Sequence, residues 1–515
     1  MALVLIGFMG AGKSTVAGEL AEALGVEPLD SDVLLAERLG HPVARELELN
    51  GEASFRATEE TLVGELLANA GPDDVIALGG GSVLSESVRD ALRAHRTVLL
   101  DVDPATAWER VQAGEEGAAR PLARDRDEFL SLYARRRGLY EELADAVLPE
   151  MPVGGSPRAL AALRALAAAP EGTRLLWATA TSGDYPVLIG RGLLAEGRLE
   201  GGWPIDRTDS RPFCVSDETV AGLYADRLGE MAARITIAPG ESHKTLASAE
   251  RVWQTLADAG MTRADHLVAL GGGVVGDLAG FCAATYQRGV PIVQIPTTLV
   301  AMVDSAYGGK TGVDLPQAKN YVGAYHQPAA VLVDPDVLAT LPAAELAAGW
   351  VEVLKTALIA GGSLWERVAA GGEVDEHTIF ACARMKLAVV AADERDAGRR
   401  QVLNLGHTVG HAIETATAYA RYRHGEAVGL GLLAALRLSG QQELRTRVRA
   451  LLLERGLPVT FAGASVDAVI EASARDKKRL GATVPFVLLR APGDLRIGCE
   501  VDADELRAAI AELAS

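Results

Sequence analysis

Hydrophobic positions follow two rhythms along this chain. In its first two-thirds, short apolar runs alternate with amphipathic stretches. The runs at 2–6, Val75–Leu78 and Thr97–Val102 have the length and unbroken apolar character of strands buried on both faces. A Gly-rich turn follows the first run, and the spacing then predicts a helix from Lys13 to Leu24. Strand alternating with helix is the pattern of βαβ units and a parallel sheet. Ser156-Pro157 reads as an N-cap followed by Pro at the first helical position. The Ala/Leu-rich helix it opens ends near Ala169-Pro170-Glu171-Gly172, the linker candidate. A second α/β pattern starts at Thr173, with strand-like runs at Leu267–Leu270 and Pro291–Ile295. Beyond Pro342 the rhythm becomes helical, with amphipathic segments at Ala343–Ala360, Ile379–Asp393, Gly410–Ala420 and Gly425–Leu438.

Length and composition narrow the class. A chain of 515 residues is too long for one core, so two to four domains are expected. The net charge of −19 repels nucleic acids and anionic membranes at long range, and at 5% aromatic residues a base-stacking surface is not expected. An anionic substrate must then be met by local clusters of Lys and Arg. Cys214, Cys282, Cys382 and Cys499 are far apart and form no C-x-x-C pair, which reads as buried thiols in a reducing compartment. The N-terminal MALVLIGFMG lacks a basic leader and runs directly into a Gly-rich turn, so it reads as a first strand. No apolar run is long enough to span a bilayer. The expectation is a soluble, cytoplasmic protein that binds neither nucleic acid nor membrane.

The N-terminal chemistry begins at Gly7-Phe8-Met9-Gly10-Ala11-Gly12-Lys13-Ser14-Thr15, which fits G-x-x-x-x-G-K-S/T between a strand and a helix. Glycines let backbone N–H groups turn around phosphate oxygens, and the helix N-terminus adds a favourable dipole. Lys13 can neutralise the β- and γ-phosphates, and the Ser14 hydroxyl can ligate Mg²⁺. Asp30-Ser31-Asp32 places carboxylates after an apolar stretch, and Gly79-Gly80-Gly81 closes a strand. Arg56, Arg110, Arg120 and the run Arg135-Arg136-Arg137 are dispersed cations, each unremarkable alone.

In the C-terminal two-thirds, Gly271–Gly273 ends a strand-like run in Gly271-Gly272-Gly273-Val274-Val275-Gly276-Asp277. This is not G-x-G-x-x-G, so by itself it reads equally as a nucleotide-binding turn or a tight turn beneath a helix. His407 and His411 lie four apart, on one helix face, and His424 follows thirteen residues later. Glu352 lies on an earlier helical stretch. Two His and one carboxylate with an open position suit a catalytic Zn²⁺, and spacing alone admits both His407 and His411 as ligands. Arg288, Lys310, Lys319, Lys355, Lys386, Arg400, Lys477 and Lys478 all sit beside glycines, apolar runs or these motifs. In so acidic a chain such a set suggests a highly anionic small substrate.

Residues 1–168 resemble shikimate kinase, with the motifs in order and spacing. The resemblance implies a P-loop kinase domain with a parallel sheet that moves the γ-phosphate of ATP to the 3-hydroxyl of shikimate. It assigns ATP to Gly10, Ala11, Gly12, Lys13, Ser14, Thr15, Arg110 and Arg120, and Mg²⁺ to Ser14 and, through water, Asp30. Shikimate falls to Asp32, Arg56, Gly79, Gly80, Gly81 and Arg136; Asp32 deprotonates the hydroxyl and Arg120 closes as a lid. Phosphoryl transfer needs charge neutralisation and in-line positioning, and a carboxylate substrate suits bidentate arginines. Gly138 departs from the Pro usual in the family and could loosen the Arg136 helix.

Residues 173–515 resemble 3-dehydroquinate synthase. The signatures are Pro239-Gly240-Glu241-Ser242-His243-Lys244, the Gly271–Asp277 run, Tyr286-Gln287-Arg288-Gly289, Pro296-Thr297-Thr298, Gly309-Lys310-Thr311-Gly312, Lys319-Asn320, the Glu352–Lys355 segment, NLGHTVGHAIE from Asn404, and Arg423-His424-Gly425-Glu426. The resemblance implies a Rossmann-like α/β half over 173–341, a mostly helical half over 342–515, and a linker at 169–172. It makes Glu352, His407 and His424 the ligands of Zn²⁺ or Co²⁺. NAD would lie along Asp217, Glu241, Lys244, Gly273, Val274, Val275, Gly276, Asp277, Thr297, Thr298, Lys310 and Lys319. The phosphorylated substrate would meet Arg288, Asp304, Lys310, Asn320, Lys355, Lys386, Arg400, Asn404, His411 and Lys477 or Lys478, with His411, Lys355, Asp304 and Arg400 in the chemistry. Arg288 would reach across a homodimer interface. The implied reaction converts 3-deoxy-D-arabino-heptulosonate 7-phosphate to 3-dehydroquinate and phosphate, with NAD acting catalytically. Asp396 departs from the Glu usual there, one methylene short near Arg400. Two other readings are a fusion with one silent half acting as a binding module, and a metal- and NAD-dependent polyol dehydrogenase in the C-terminal part.

Overall fold

The computed structural model describes residues 1–113, 125–151, 154–201, 203–205, 209–316, 318–480 and 485–515. They form two compact units: Met1–Ala178 with Pro186–Leu188 and Pro204–Asp206, and Thr179–Tyr185, Ile189–Trp203 and Arg207–Ser515.

In the first unit, β1 (Leu3–Ile6) leads through the glycine turn into α1 (Lys13–Leu24). Then come β2 (Leu29–Asp30), α2 (Ser31–Leu39) and the long α3 (Val43–Asn69), which breaks at Gly51 with φ 77. β3 (Val75–Ala77), α4 (Glu86–Leu92) and β4 (Arg96–Asp101) follow. α5 (Pro104–Ala113), α6 (Arg126–Leu143), β5 (Ala146–Pro149), α7 (Leu160–Ala168) and β6 (Arg174–Ala178) complete the unit. The strands pair in parallel in the order β2-β3-β1-β4-β5-β6, so β1 is central. That position explains why Val4, Leu5 and Ile6 are all buried. Helix α6 runs unbroken through Gly138, so that departure does not interrupt the helix carrying Arg136.

One expectation fails here. Ser156 does not cap α7. It is the first residue of a 3-10 turn, Ser156–Ala159, whose preceding residue is Gly155. Its N–H and hydroxyl both go to the Glu19 carboxylate on α1. A tertiary acceptor has won over the local capping bond.

Strand β7 (Tyr185–Ile189) is divided, with Pro186–Leu188 counted in the first unit and its two end residues in the second. The second unit continues with β8 (Pro212–Asp217), α8 (Glu218–Tyr224), β9 (Ala233–Ile237) and α9 (Leu246–Asp258). β10 (His266–Gly271) then feeds α10 (Gly273–Thr285), followed by β11 (Ile292–Pro296). Next come the antiparallel hairpin of β12 (Lys310–Leu315) and β13 (Ala318–Tyr325), then β14 (Ala330–Val333). The parallel order β14-β11-β10-β8-β9 puts β10 between β11 and β8. Apolar residues of α9 and α10 bury against this sheet, among them Val252, Leu256, Leu278 and Phe281.

The helical part comprises α11 (Ala343–Ala360), α12 (Gly362–Ala369), α13 (Glu376–Ala392), α14 (His407–Ala416), α15 (His424–Leu438), α16 (Gln442–Glu454), α17 (Val466–Leu480) and α18 (Ala503–Ala511). A second hairpin, β15 (Phe486–Ala491) and β16 (Asp494–Cys499), interrupts them. Its turn at Pro492-Gly493, with φ 88 at Gly493, is a strand–turn–strand signal that the helical rhythm around it masks. α14, α15 and α11 approach closely because glycines face them. A Cβ on Gly431 would collide with the Gly406 carbonyl, and one on Gly425 with the Ala348 carbonyl. Among the described residues no helix is long and apolar enough to cross a membrane.

Candidate active sites

The first site forms where β1, β2 and β3 end. Gly10 and Gly12 take φ of 80 and 89, the left-handed region that turns the loop before α1. Lys13 Nζ donates to the carbonyls of Gly7 at 3.0 Å and Phe8 at 3.2 Å, so its cation sits inside the loop. Ser14 Oγ lies 2.5 Å from Asp30 Oδ2, while Asp30 Oδ1 caps α2 by accepting from the Asp32 N–H at 2.9 Å. One carboxylate thus orders the helix bearing Asp32 and presents its second oxygen beside the Ser14 hydroxyl.

The Gly79–Gly81 segment runs beneath the other expected residues. A Cβ on Gly79 would lie 2.6 Å from Asp32 Oδ1 and 2.9 Å from Glu59 Oε1, and one on Gly81 would overlap the Arg56 guanidinium. The Gly80 carbonyl accepts from Arg136 Nη1 at 3.4 Å and from the Tyr140 hydroxyl. Burial pushes the Tyr140 phenol up to about 12, so it stays a donor. Arg56, Arg136 and Asp32, from α3, α6 and α2, therefore surround one bare backbone strip. Glu59 was not legible as a site residue. It is buried, pairs with Arg56 at 2.5 Å and accepts from Ser82 Oγ at 2.8 Å. The i, i+3 spacing from Arg56 was its only signal. Arg110 pairs with Glu150, and its Nη1 would lie 3.9 Å from a Cβ on Gly12. Arg120 lies outside the described residues.

The second site lies among α11, α13, α14 and α15. Glu352 is fully buried, and neither of its carboxylate oxygens has a well-directed hydrogen bond. His407 Nε2 stands 3.9 Å and His424 Nε2 3.5 Å from Glu352 Oε1. The opposite nitrogens are held elsewhere: His407 Nδ1 lies 3.2 Å from the Leu405 carbonyl and His424 Nδ1 3.5 Å from Glu414 Oε2. Two imidazole Nε2 atoms turned toward Oε1 of a buried carboxylate are the donor set a divalent cation needs, so these residues fit one. The exposed His411 ring lies close by, and ligand atoms of His407, His411 and His424 fall within 4.8 Å of one another. The three-histidine grouping that spacing admits is thus also brought together.

A charge network continues from Glu352. Lys355 Nζ lies 2.6 Å from Glu352 Oε2 and 3.5 Å from Asp304 Oδ2. Lys386 donates to the Asp304 carbonyl at 2.6 Å and pairs with its carboxylate. Asp304 sits in a π-helical turn, Ala301–Ser305, a local widening that aims it at both lysines. Burial alone would raise the Asp304 and Glu352 carboxyls. Lys355 outweighs it at both, with Lys386 adding at Asp304 and the histidines at Glu352, and holds both well below the usual carboxylate range. Burial, with Lys355 nearby, lowers His407 to about 3, whereas Glu352 and Glu414 overcome burial to raise His424 to about 10.

The nucleotide side is built on α10. Gly272 precedes the helix with no side-chain cap, leaving the first N–H groups open to an anion. Thr298 and Ser305 side chains lie close beside Gly272 and Gly273. Lys244 is buried, 2.8 Å from Glu241, 3.3 Å from Asp277 and 3.8 Å from Asp314. Asp217 caps α8 through one oxygen. Thr297 Oγ1 is buried without a partner. Asp277, desolvated but partly compensated by Lys244, is raised to about 6.

Arg400 is buried and gripped by the carbonyls of Glu394 at 2.5 Å and Gly308 at 2.9 Å. Asp396 turns instead to Lys310, in a backbone with φ 61. Asn320, at φ 52, donates its N–H to Asp314 at 2.7 Å. Asn404 is exposed just before α14. Arg288 is exposed in a turn where Gln287 and Arg288 take φ of 48 and 70. The side chains of Lys477 and Lys478, on α17, lie outside the described residues. Asp314 and Glu414 were not anticipated.

A P-loop phosphotransferase unit and a unit joining an α/β nucleotide half to a helical metal-binding half are the classes these features define. The family profile for shikimate kinase matches residues 9–152. Those for the 3-dehydroquinate synthase N-terminal and C-terminal regions match 234–348 and 349–479. A 3-dehydroquinate synthase of Halorhodospira halophila is 44% identical over 355 residues, covering 66% of this chain and 99% of that protein. The 2-epi-5-epi-valiolone synthase of Streptomyces hygroscopicus, solved with NAD⁺ and Zn²⁺ bound, superposes with a TM-score of 0.59 at 28% identity, over 64% of this chain and 96% of that one. Shikimate kinase of Acinetobacter baumannii, in complex with shikimate, is 30% identical, covering 32% of this chain and 89% of that one, with a TM-score of 0.29. The chain belongs to the 3-dehydroquinate synthase family and carries a shikimate kinase domain ahead of it.

Proposed function

We propose that the chain is a bifunctional enzyme that phosphorylates shikimate with ATP and converts 3-deoxy-D-arabino-heptulosonate 7-phosphate to 3-dehydroquinate and phosphate. The observation that carries the synthase reading is the buried Glu352 carboxylate facing two imidazole Nε2 atoms beside the Lys355–Asp304–Lys386 network.

In the kinase unit the loop N–H groups and Lys13 take the ATP phosphates, and Arg110 packs on the nucleotide. Ser14 and Asp30, already joined, would hold Mg²⁺, which neutralises phosphate charge when bound. Arg56 and Arg136 hold the shikimate carboxylate over the Gly79–Gly81 backbone. Asp32 accepts the proton of the 3-hydroxyl, and Arg120 is assigned to the closing lid.

In the synthase unit Glu352, His407 and His424 would hold Zn²⁺ or Co²⁺, and Asp217, Glu241, Lys244, Gly273–Asp277, Thr297, Thr298, Lys310 and Lys319 would line NAD. Bound together, the metal supplies Lewis acidity and NAD a reversible hydride acceptor. Lys355, Lys386, Lys310, Arg400, Asn320, Asn404 and Lys477 orient the anionic substrate, with Arg288 reaching it from the second subunit of a homodimer. Asp304, paired with both, holds Lys355 and Lys386 aimed into the site. His411, exposed beside the two ligand rings, is placed to move a proton at the substrate hydroxyl. The same reading puts the protein in the cytoplasm, where the thiols of Cys214 and Cys282, pushed up to about 12 by burial, are inert.

The test follows phosphate release from the heptulosonate phosphate and ATP-dependent phosphorylation of shikimate on one preparation. Phosphate release should stop on chelation and return with Zn²⁺ or Co²⁺, while the kinase needs only Mg²⁺. Binding of either substrate without turnover would instead make that half a silent module. Steady NADH accumulation with a polyol would replace the synthase reading.

A further inference from the structure

Helix α14 presents His407, His411 and Glu414 at i, i+4 and i+7, hence on one face. The first two belong to the site already described. Glu414, unlike them, is buried, at 3% relative exposure, and a buried carboxylate persists only where its oxygens are engaged. One oxygen, Oε2, stands 3.5 Å from His424 Nδ1, and the other, Oε1, 3.5 Å from Lys319 Nζ on β13. Lys319 is itself held. It lies 3.8 Å from Glu241, and its ammonium sits 4.4 Å above the Tyr419 ring. That ring is carried there by two consecutive left-handed residues, Ala418 at φ 55 and Tyr419 at φ 56, directly after α14. Neither residue is glycine, so the backbone accepts strain to make this turn.

We propose that Glu414 is a positioning residue for His424. It accepts from Nδ1, which fixes the tautomer and ring orientation that leave Nε2 turned toward Glu352, while Lys319 and the Tyr419 ring hold the Glu414 carboxylate in place. The inference rests on reading Glu352, His407 and His424 as a divalent-metal site. A carboxylate behind a ligating imidazole raises its basicity, and losing such a partner weakens metal binding about 10–100-fold.

The experiment uses the full chain and Zn²⁺ alone, titrated in competition with a chromophoric chelator. E414Q keeps the shape and removes the charge, E414D keeps the charge, and E352Q is the reference. The expected result is about 10–100-fold weaker Zn²⁺ binding by E414Q, partial recovery in E414D, and an unchanged rate of shikimate phosphorylation. E414Q binding Zn²⁺ within about threefold of the parent, where E352Q does not, overturns the role of Glu414 and leaves the metal site standing. A parent that binds no Zn²⁺, or an E352Q that binds as tightly, overturns the metal reading itself. Should E414Q lose the helical circular dichroism of the parent, the comparison passes to E414D. Its Zn²⁺ affinity then lies between those of E352Q and the parent if the proposal holds, and falls to that of E352Q if it does not.

Discussion

Asp32 shows how far a single side chain can be read. Its place after an apolar run suggests a carboxylate near the phosphate loop, and in the fold Asp30 caps the helix that carries it. D32N should lower the rate of shikimate phosphorylation about 10²–10⁴-fold, the usual contribution of a general base, and leave phosphate release by the synthase unchanged. A steady-state assay of both reactions on one sample checks this. Asp277 makes a pH prediction. Burial raises its carboxyl from the ordinary value to about 6 in the folded state, so the folded state holds a proton that the unfolded state releases earlier. Its contribution to stability is full below about pH 4 and is lost as pH rises through about 6. With about a fifth of its side chain still meeting solvent, the loss is of order 1–2 kcal/mol. Relative to D277N, the parent's urea midpoint should fall between pH 5 and 8 with NAD absent, and a difference independent of pH would refute the assignment. Glu59 and Glu414 were invisible at this scale because an acidic residue on a helix reads as solvated until the fold buries it.

At the scale of elements, the glycine segments decide who can be neighbours. A methyl at Gly81 would meet the far end of the flexible Arg56 side chain first, so G81A should fold normally. It should raise KM for shikimate about tenfold while leaving KM for ATP unchanged, because misplacing a positioning group costs geometry and not the nucleotide. Gly431 is different. Its Cβ would strike the Gly406 carbonyl, which cannot swing away, so α15 must move off α14. G431A should cost about 1–3 kcal/mol and weaken Zn²⁺ binding, since His407 and His424 sit on those two helices. Equal Zn²⁺ affinity in G431A and the parent would show that the helix spacing does not set the site. The helix periods and the P-loop turn were legible because they are local. The Ser156 turn and the β15–β16 hairpin were not: one is decided by Glu19 from a distant helix, the other is short and surrounded by helical rhythm.

Across the whole molecule, β6 joins the first unit, pairing with β5 at Ala146–Leu175 and Val147–Leu176. Strand Arg174–Ala178 lies beyond the expected linker at 169–172. A kinase fragment ending at Ala178 should therefore be more stable than one ending at Ala168, which leaves the β5 edge unpaired and open to association. Thermal unfolding and light scattering of the two fragments decide it; equal behaviour would show that β6 contributes nothing to the kinase unit.

The sequence by itself determined the two chemistries, the order of their motifs and most of the elements, because phosphate loops, helix periods and buried strands depend on neighbours within a few turns of chain. Tertiary structure alone decided which acidic groups are buried and what they meet. Glu352 meets His424 across 72 positions of sequence and Ser182 meets Glu394 across 212. Charge and dielectric act through space, and only the packed helices and sheets set those distances.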